Sequence, residues 1–102
     1  MRNRLKLHET LKTVLGSNNV YFQPPETIKM KYPAIRYKMS NANESFANDK
    51  IYKNMTGYEI ILIDINPESE YINDIIQLPY CRFVNAYIAD GLNHFVFEKY
   101  DL

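Results

Sequence analysis

The chain has 102 residues, 46% of them hydrophobic, with twelve bases balancing twelve acids and a single cysteine. Those totals fit a single domain over residues 1–102 with one core, and they exclude a disordered chain. No run approaches the roughly 18 to 20 apolar residues that span a bilayer, so no membrane partner is expected.

The basic start, Met1-Arg2-Asn3-Arg4-Leu5-Lys6, runs into no uninterrupted apolar segment, which argues against a signal peptide. A lone Cys81 forbids an internal disulfide and suits a reducing compartment, so synthesis in the cytoplasm is the expectation. Charge is unevenly spread. Residues 1–53 carry ten bases against four acids (+6), and residues 54–102 carry two bases against eight acids (−6). Either the halves interleave and cancel, or the protomer is polarised. A polarised protomer can set its basic side against the acidic side of a neighbour, and such head-to-tail contacts close into rings.

Leu7, Leu11, Val14 and Leu15 recur at helical spacing, and Gly16 is a C-terminal stop, which predicts a helix from about residue 3 to 15. Ser17-Asn18-Asn19 reads as a turn and Val20-Tyr21-Phe22 as a short strand ended by Pro24-Pro25, with residues 24–32 as loop or extended connector. From Pro33 the pattern alternates, with Ile35, Tyr37 and Met39 on one face of a strand and Arg36 and Lys38 on its wet face. Ser40 to Asp49 is polar and rich in turn formers, so it reads as a long loop presenting Phe46 as a contact arm. Gly57 allows a bulge or bend ahead of the next strand.

Tyr58 to Ile65 is the most apolar run and predicts a central strand covered on both faces. Asn66 as N-cap and Pro67 at the first helical position predict a second helix over about 67–77, with Tyr71, Ile72, Ile75 and Ile76 as its apolar stripe. Asp64 requires a partner, from a cap or a local base. Asp90-Gly91 is a two-residue hairpin signal. With Ala89 opposite Leu92, one face of the hairpin holds Val84, Ala86, Ile88, Phe95 and Phe97, a core face. The other holds Cys81, Phe83, Tyr87, His94, Val96 and Tyr100, too apolar for open solvent. A helix of this chain or a neighbouring subunit should cover it. The fold class is therefore α+β: a mostly antiparallel or mixed sheet of about five strands with two helices, in the order α-β-β-β-α-β-β.

No serine elbow, phosphate loop or dinucleotide fingerprint is present, and His8, His94 and Cys81 lack metal-ligand spacing, so no catalytic, metal or cofactor site is expected. His94 beside Asp90 reads as a packed hairpin residue rather than a general base. Gly91 to Phe97 is similar in part to the RNA-reading strand of an RRM, but it lacks the basic residue before the glycine and the aromatic after it.

Several short motifs together point to a family. They are Tyr32-Pro33-Ala34-Ile35, Phe46-Ala47-Asn48-Asp49-Lys50-x-Tyr52, and Tyr58-Glu59 with Asp64 and Pro67-Glu68-Ser69. Leu78-Pro79-Tyr80-Cys81 and Tyr87-x-x-Asp90-Gly91-Leu92-Asn93-His94-x-Val96-Phe97 follow. In order and spacing, from about residue 32 to 97, they resemble the tail terminator, or tail-completion, proteins of long-tailed bacteriophages. The resemblance implies a non-enzymatic structural protein without cofactors. It would form a ring, usually of six subunits, that caps the tail tube and joins it to the head connector or head-closure protein. Its place would be the neck of the virion, after assembly in the bacterial cytoplasm. Phe46, Lys50, Tyr52, Lys53, Phe83, Tyr87, His94, Val96 and Tyr100 are then the expected subunit or tube contacts, with DNA only a passing, non-specific contact. Another neck component, a nucleic-acid-binding regulator using the basic N-terminal half, and a small loop-built enzyme are the alternatives.

Overall fold

The computed structural model describes residues 2–25, 28–40 and 56–101. Its element order is helix α1 (Arg2–Leu15), strands β1 (Val20–Phe22), β2 (Ala34–Met39) and β3 (Thr56–Asp64), helix α2 (Tyr71–Ile76), then strands β4 (Cys81–Ala89) and β5 (Leu92–Asp101). The five strands form one sheet in the order β1-β2-β3-β5-β4. β1 and β2 run parallel and every other pair is antiparallel. This is the expected α+β class.

Two apolar layers flank β3, as its unbroken apolar run predicts. On one side Tyr58, Ile60 and Leu62 meet Leu7, Leu11 and Leu15 of α1, Ile75 of α2, and Ile35, Tyr37, Phe95 and Phe97 of the flanking strands. On the other side Ile61 and Ile63 cluster with Val96, and Met30 and Leu92 pack against them. Parallel pairing of β1 with β2 obliges the chain between them to cross the sheet, and its Met30 seals this second layer. Of the hairpin face expected to need cover from a helix or a neighbour, this connector packs on Val96, while Phe83 and Tyr87 stay exposed.

α1 ends where Gly16 adopts φ +74° and its N–H bonds back to the Lys12 carbonyl at 2.8 Å. α2 is shorter than the sequence predicts. Asn66 does not cap it; its Oδ1 accepts the Glu68 N–H at 2.9 Å, while Asp64 Oδ1 accepts the Asn66 N–H at 3.1 Å. Ser69 Oγ accepts the Tyr71 N–H at 3.4 Å. Three short polar side chains in succession thus bind backbone donors locally, which holds residues 64–69 in turns and delays the helix to Tyr71. Asp64 finds its partner in that turn.

Gly57 lies in regular register opposite Tyr100, so the expected bulge is not there. It sits in β4 instead. Ala89 pairs with Leu92 and Asn85 with Val96, as the hairpin rule predicts, but Phe83 pairs with Phe97, leaving Val84 as the extra residue. Beyond that point the faces exchange. Phe83 joins Phe97 on the helix side, with ring centroids 5.7 Å apart, and Cys81 packs against the helix-side core. The expected core positions Val84, Ala86 and Ile88 are exposed. Ala86 and Ile88 do lie on the helix side, opposite Phe95 and Asn93, but a six-residue α2 leaves them uncovered.

Candidate functional site

β4 is the exposed element of this molecule. All but its two terminal residues are open to solvent, it lies at the edge of the sheet, and it is nine residues long. The geometry that holds it out is well anchored. α2 ends with Leu78 N–H on the Ile75 carbonyl, and Tyr80 follows at φ +55°. The Tyr80 carbonyl accepts the Tyr100 N–H at 3.0 Å, and the buried Lys99 donates from Nζ to the Pro79 carbonyl at 3.0 Å. At the other end Asp90 and Gly91 both take positive φ, the geometry of a tight two-residue hairpin. Asn93 Nδ2 reaches the Asp64 and Ile65 carbonyls at 3.3 and 3.0 Å and ties the hairpin base to the end of β3.

Along this strand Phe83, Val84, Tyr87 and Ile88 make an apolar strip that spans both faces of the edge, Phe83 and Ile88 on the helix side and Tyr87 on the other, Ile88 being 74% exposed. Tyr80, just ahead of the strand, extends the strip. An edge strand with apolar side chains and unpaired backbone groups is a template for another chain, and proteins usually blunt such edges with charge, proline or bulges. Here the only charge is Arg82. Its guanidinium is committed to Glu98, with Nη2 to Oε1 at 2.6 Å and Nε to the same oxygen at 3.1 Å. The one blunting device is the bulge at Val84.

The expected contact residues separate into three groups. Phe83 and Tyr87 lie on this strip. His94 and Val96 are only 8% and 7% exposed, and Tyr100 is half-buried, so these three offer little surface to a partner. His94 stacks on Tyr87 at 4.7 Å and bonds through Nδ1 to the Leu92 carbonyl at 3.1 Å, a packed hairpin residue. Phe46, Lys50, Tyr52 and Lys53 lie outside the described residues, as does the proposed Ser40–Asp49 arm apart from Ser40. Sequence reasoning missed Val84 and Ile88, because the strict two-residue alternation assigned both to the core. The signal available for Ile88 was the brevity of any helix between residues 66 and 79.

Elsewhere the described residues offer structure more than chemistry. Nδ1 of His8 and the hydroxyl of Tyr37 are 2.7 Å apart. Burial, with Lys12 and Arg4 nearby, lowers the His8 pKa although Glu9 opposes it, and burial raises that of Tyr37. The pair is thus a neutral imidazole hydrogen-bonded to a protonated hydroxyl. Cys81 is held as a thiol, its pKa pushed up by burial to about 11 despite Lys99. The strand that partly matches an RNA-reading one cannot stack its aromatics on bases, because Phe95 and Phe97 face the core. No group of three metal-binding side chains occurs among the described residues. A half-open pocket of about 90 Å³ beside Arg36, Lys38 and Glu59 has room for waters. Comparison with protein-family models, with curated proteins and with solved structures finds no match for this chain.

Proposed function

We propose that this chain is a structural protein of a long-tailed bacteriophage that assembles as a ring on the end of the tail tube and joins it to the head connector. The observation that carries the reading is the open β4 edge, a nine-residue strand that exposes Phe83, Val84, Tyr87 and Ile88 and whose one charge, Arg82, is paired with Glu98. The resemblance over residues 32–97 supports it from another side. Its motif residues occupy the corners of the fold: Pro33 enters β2, Asp64 builds the turn after β3, Pro79 precedes β4, and Asp90-Gly91 makes the hairpin. Partners on this reading are a second copy, the tail tube protein and a head-closure or connector protein, with DNA passing through unread.

The test is genetic and structural. Removing the gene from its phage should leave separate filled heads and unjoined tails, restored by the intact chain supplied in trans. Normal virions without the gene would end the proposal. A second reading, regulation through nucleic acid, draws on the bases of α1 and of the β1–β2 connector. DNA affinity falling steeply with salt, in a phage whose virions are normal without the gene, is the outcome it requires.

A further inference from the structure

Tyr37 of β2 faces the helices, so by alternation Arg36 and Lys38 stand on the opposite face of the sheet, with Ile61. These two bases meet different surroundings. The register sets Lys38 beside Glu59 of β3, Glu59 beside Glu98 of β5, and Glu98 beside Arg82 of β4, so four charges cross the sheet in one row. That row is closed within itself: Lys38 Nζ lies 3.8 Å from Glu59, and Arg82 holds Glu98 at 2.6 Å. Arg36 stands outside it, between Tyr21 of β1 and Ile61 of β3, with no acid in register. Its guanidinium makes no ion pair among the described residues, and its Nε is sealed from solvent without an acceptor. The Nη groups are not sealed in this way. A cation that has lost part of its hydration and gained no partner is well placed to gain from an anion on the groups still open.

Arg36 lines the half-open pocket between β2, β3 and the turn after β1, with Gln23, Pro24, Lys38, Glu59 and Ile61. Gln23 is held there at φ +43° by its N–H on the Tyr37 carbonyl at 2.9 Å. Its Oε1 accepts the Met39 N–H at 3.4 Å, which orients the amide and leaves its NH2 group as a second donor with no partner among the described residues. Charge then selects the ligand. Lys38 and Glu59 offset one another, so the wall keeps one unmatched positive charge, that of Arg36. A monoanion balances it, whereas a phosphate dianion brings a surplus negative charge against Glu59. Two coplanar oxygens also match the guanidinium fork, and Pro24 and Ile61 offer apolar wall to the carbon that carries them. We propose that this pocket binds a carboxylate, seated on the Arg36 guanidinium with Gln23 as second donor and Lys38 beside it. The carboxylate belongs to a small free acid or to an acidic side chain of another protein. β3 and β5 separate this site from β4, and it does not rest on the assembly reading above.

The test follows the Arg36 Nε–H in proton–nitrogen correlation spectra of the isotope-labelled chain, where shelter from water keeps its signal visible. The unaltered chain is titrated at low salt with acetate, with glutamate blocked at both its amino and its carboxyl end, with glutamine blocked in the same way, and with inorganic phosphate. Acetate and blocked glutamate should move the Arg36 signal and the Lys38 amide saturably. Blocked glutamine should leave them in place, and phosphate should bind more weakly than either carboxylate. Arg36→Gln should bind carboxylate at least about tenfold more weakly, read at the Gln23 and Lys38 amides. Arg36→Lys keeps the charge and loses the fork, so it should fall between. Circular dichroism confirms that each variant is folded; if neither folds, the titrations of the unaltered chain decide alone. Blocked glutamate binding tighter than acetate assigns the carboxylate to a protein side chain, and acetate binding at least as tightly assigns it to a free acid. An Arg36 signal that ignores both carboxylates, an equal response to blocked glutamine, tighter binding of phosphate, or undiminished binding by Arg36→Gln would overturn the proposal.

Discussion

Tyr37 ties the helix layer to the sheet. Its hydroxyl is hydrogen-bonded to His8 Nδ1 of α1, and its ring packs against Phe22 at 5.0 Å and Tyr58 at 6.2 Å. Tyr37→Phe keeps the ring and loses one partly buried hydrogen bond, so it should cost about 0.5–1.5 kcal/mol in denaturant unfolding. The His8 pKa is depressed in the folded state. Stability from this pair is therefore full above the ordinary histidine range and falls as pH drops below it, because the unfolded chain takes up the proton first. A melting temperature that declines from pH 7 towards 5, less steeply in His8→Gln, is the expected outcome. Cys81 acts at the other extreme. Its raised pKa means that stability is full below the free-thiol value of 9.0 and falls as pH rises towards about 11. Alkylation of the folded chain at pH 8 should accordingly be slower than that of a free thiol. At this scale the alternation of Ile35, Tyr37 and Met39 was legible, since a period of two needs only local sequence. The His8–Tyr37 pair was not, because 29 residues separate its members and no local pattern couples them.

Elements were legible where a signal is local and failed where two local signals compete. Leu7, Leu11 and Leu15 form the buried stripe of α1, as their four-residue spacing requires, and Leu11→Ala should cost about 2–5 kcal/mol. Asp90-Gly91 set the hairpin register from Ala89 to Asn85 correctly. Gly91 has φ +74° and open space where a Cβ would stand, so Gly91→Ala carries backbone strain alone, about 1–2 kcal/mol, and Gly91→Asn should cost less. Equilibrium unfolding of both variants checks that order. Asn66-Pro67 was a sound helix signal, but Asp64, Asn66 and Ser69 each bind a nearby N–H, and the turns they make shortened α2. That shortening has a consequence for the site. A helix reaching from 67 to 77 was expected; six residues beginning at Tyr71 leave Ala86 and Ile88 of β4 without a cover. The bulge at Val84 was invisible for a different reason. Both Phe83 and Val84 are apolar, so the sequence carries no polar marker for the residue that leaves the ladder.

Across the whole molecule, the strand order keeps the early strands β1 and β2 on one side of β3 and the late strands β5 and β4 on the other. That order places a three-residue strand at one edge and a nine-residue, largely apolar one at the other. A lysine on an edge strand disfavours strand addition, so Ile88→Lys should leave stability within about 0.5 kcal/mol, as its side chain is mostly in water, yet suppress docking. Hydrogen exchange of the β4 amides measures the central claim most directly. In the isolated chain the outward N–H groups of Cys81–Ala89 should exchange freely. On assembly, or on addition of tail tubes from the same phage, protection should appear along β4 and should vanish in Ile88→Lys. Protection that spares β4 while appearing elsewhere would contradict the account.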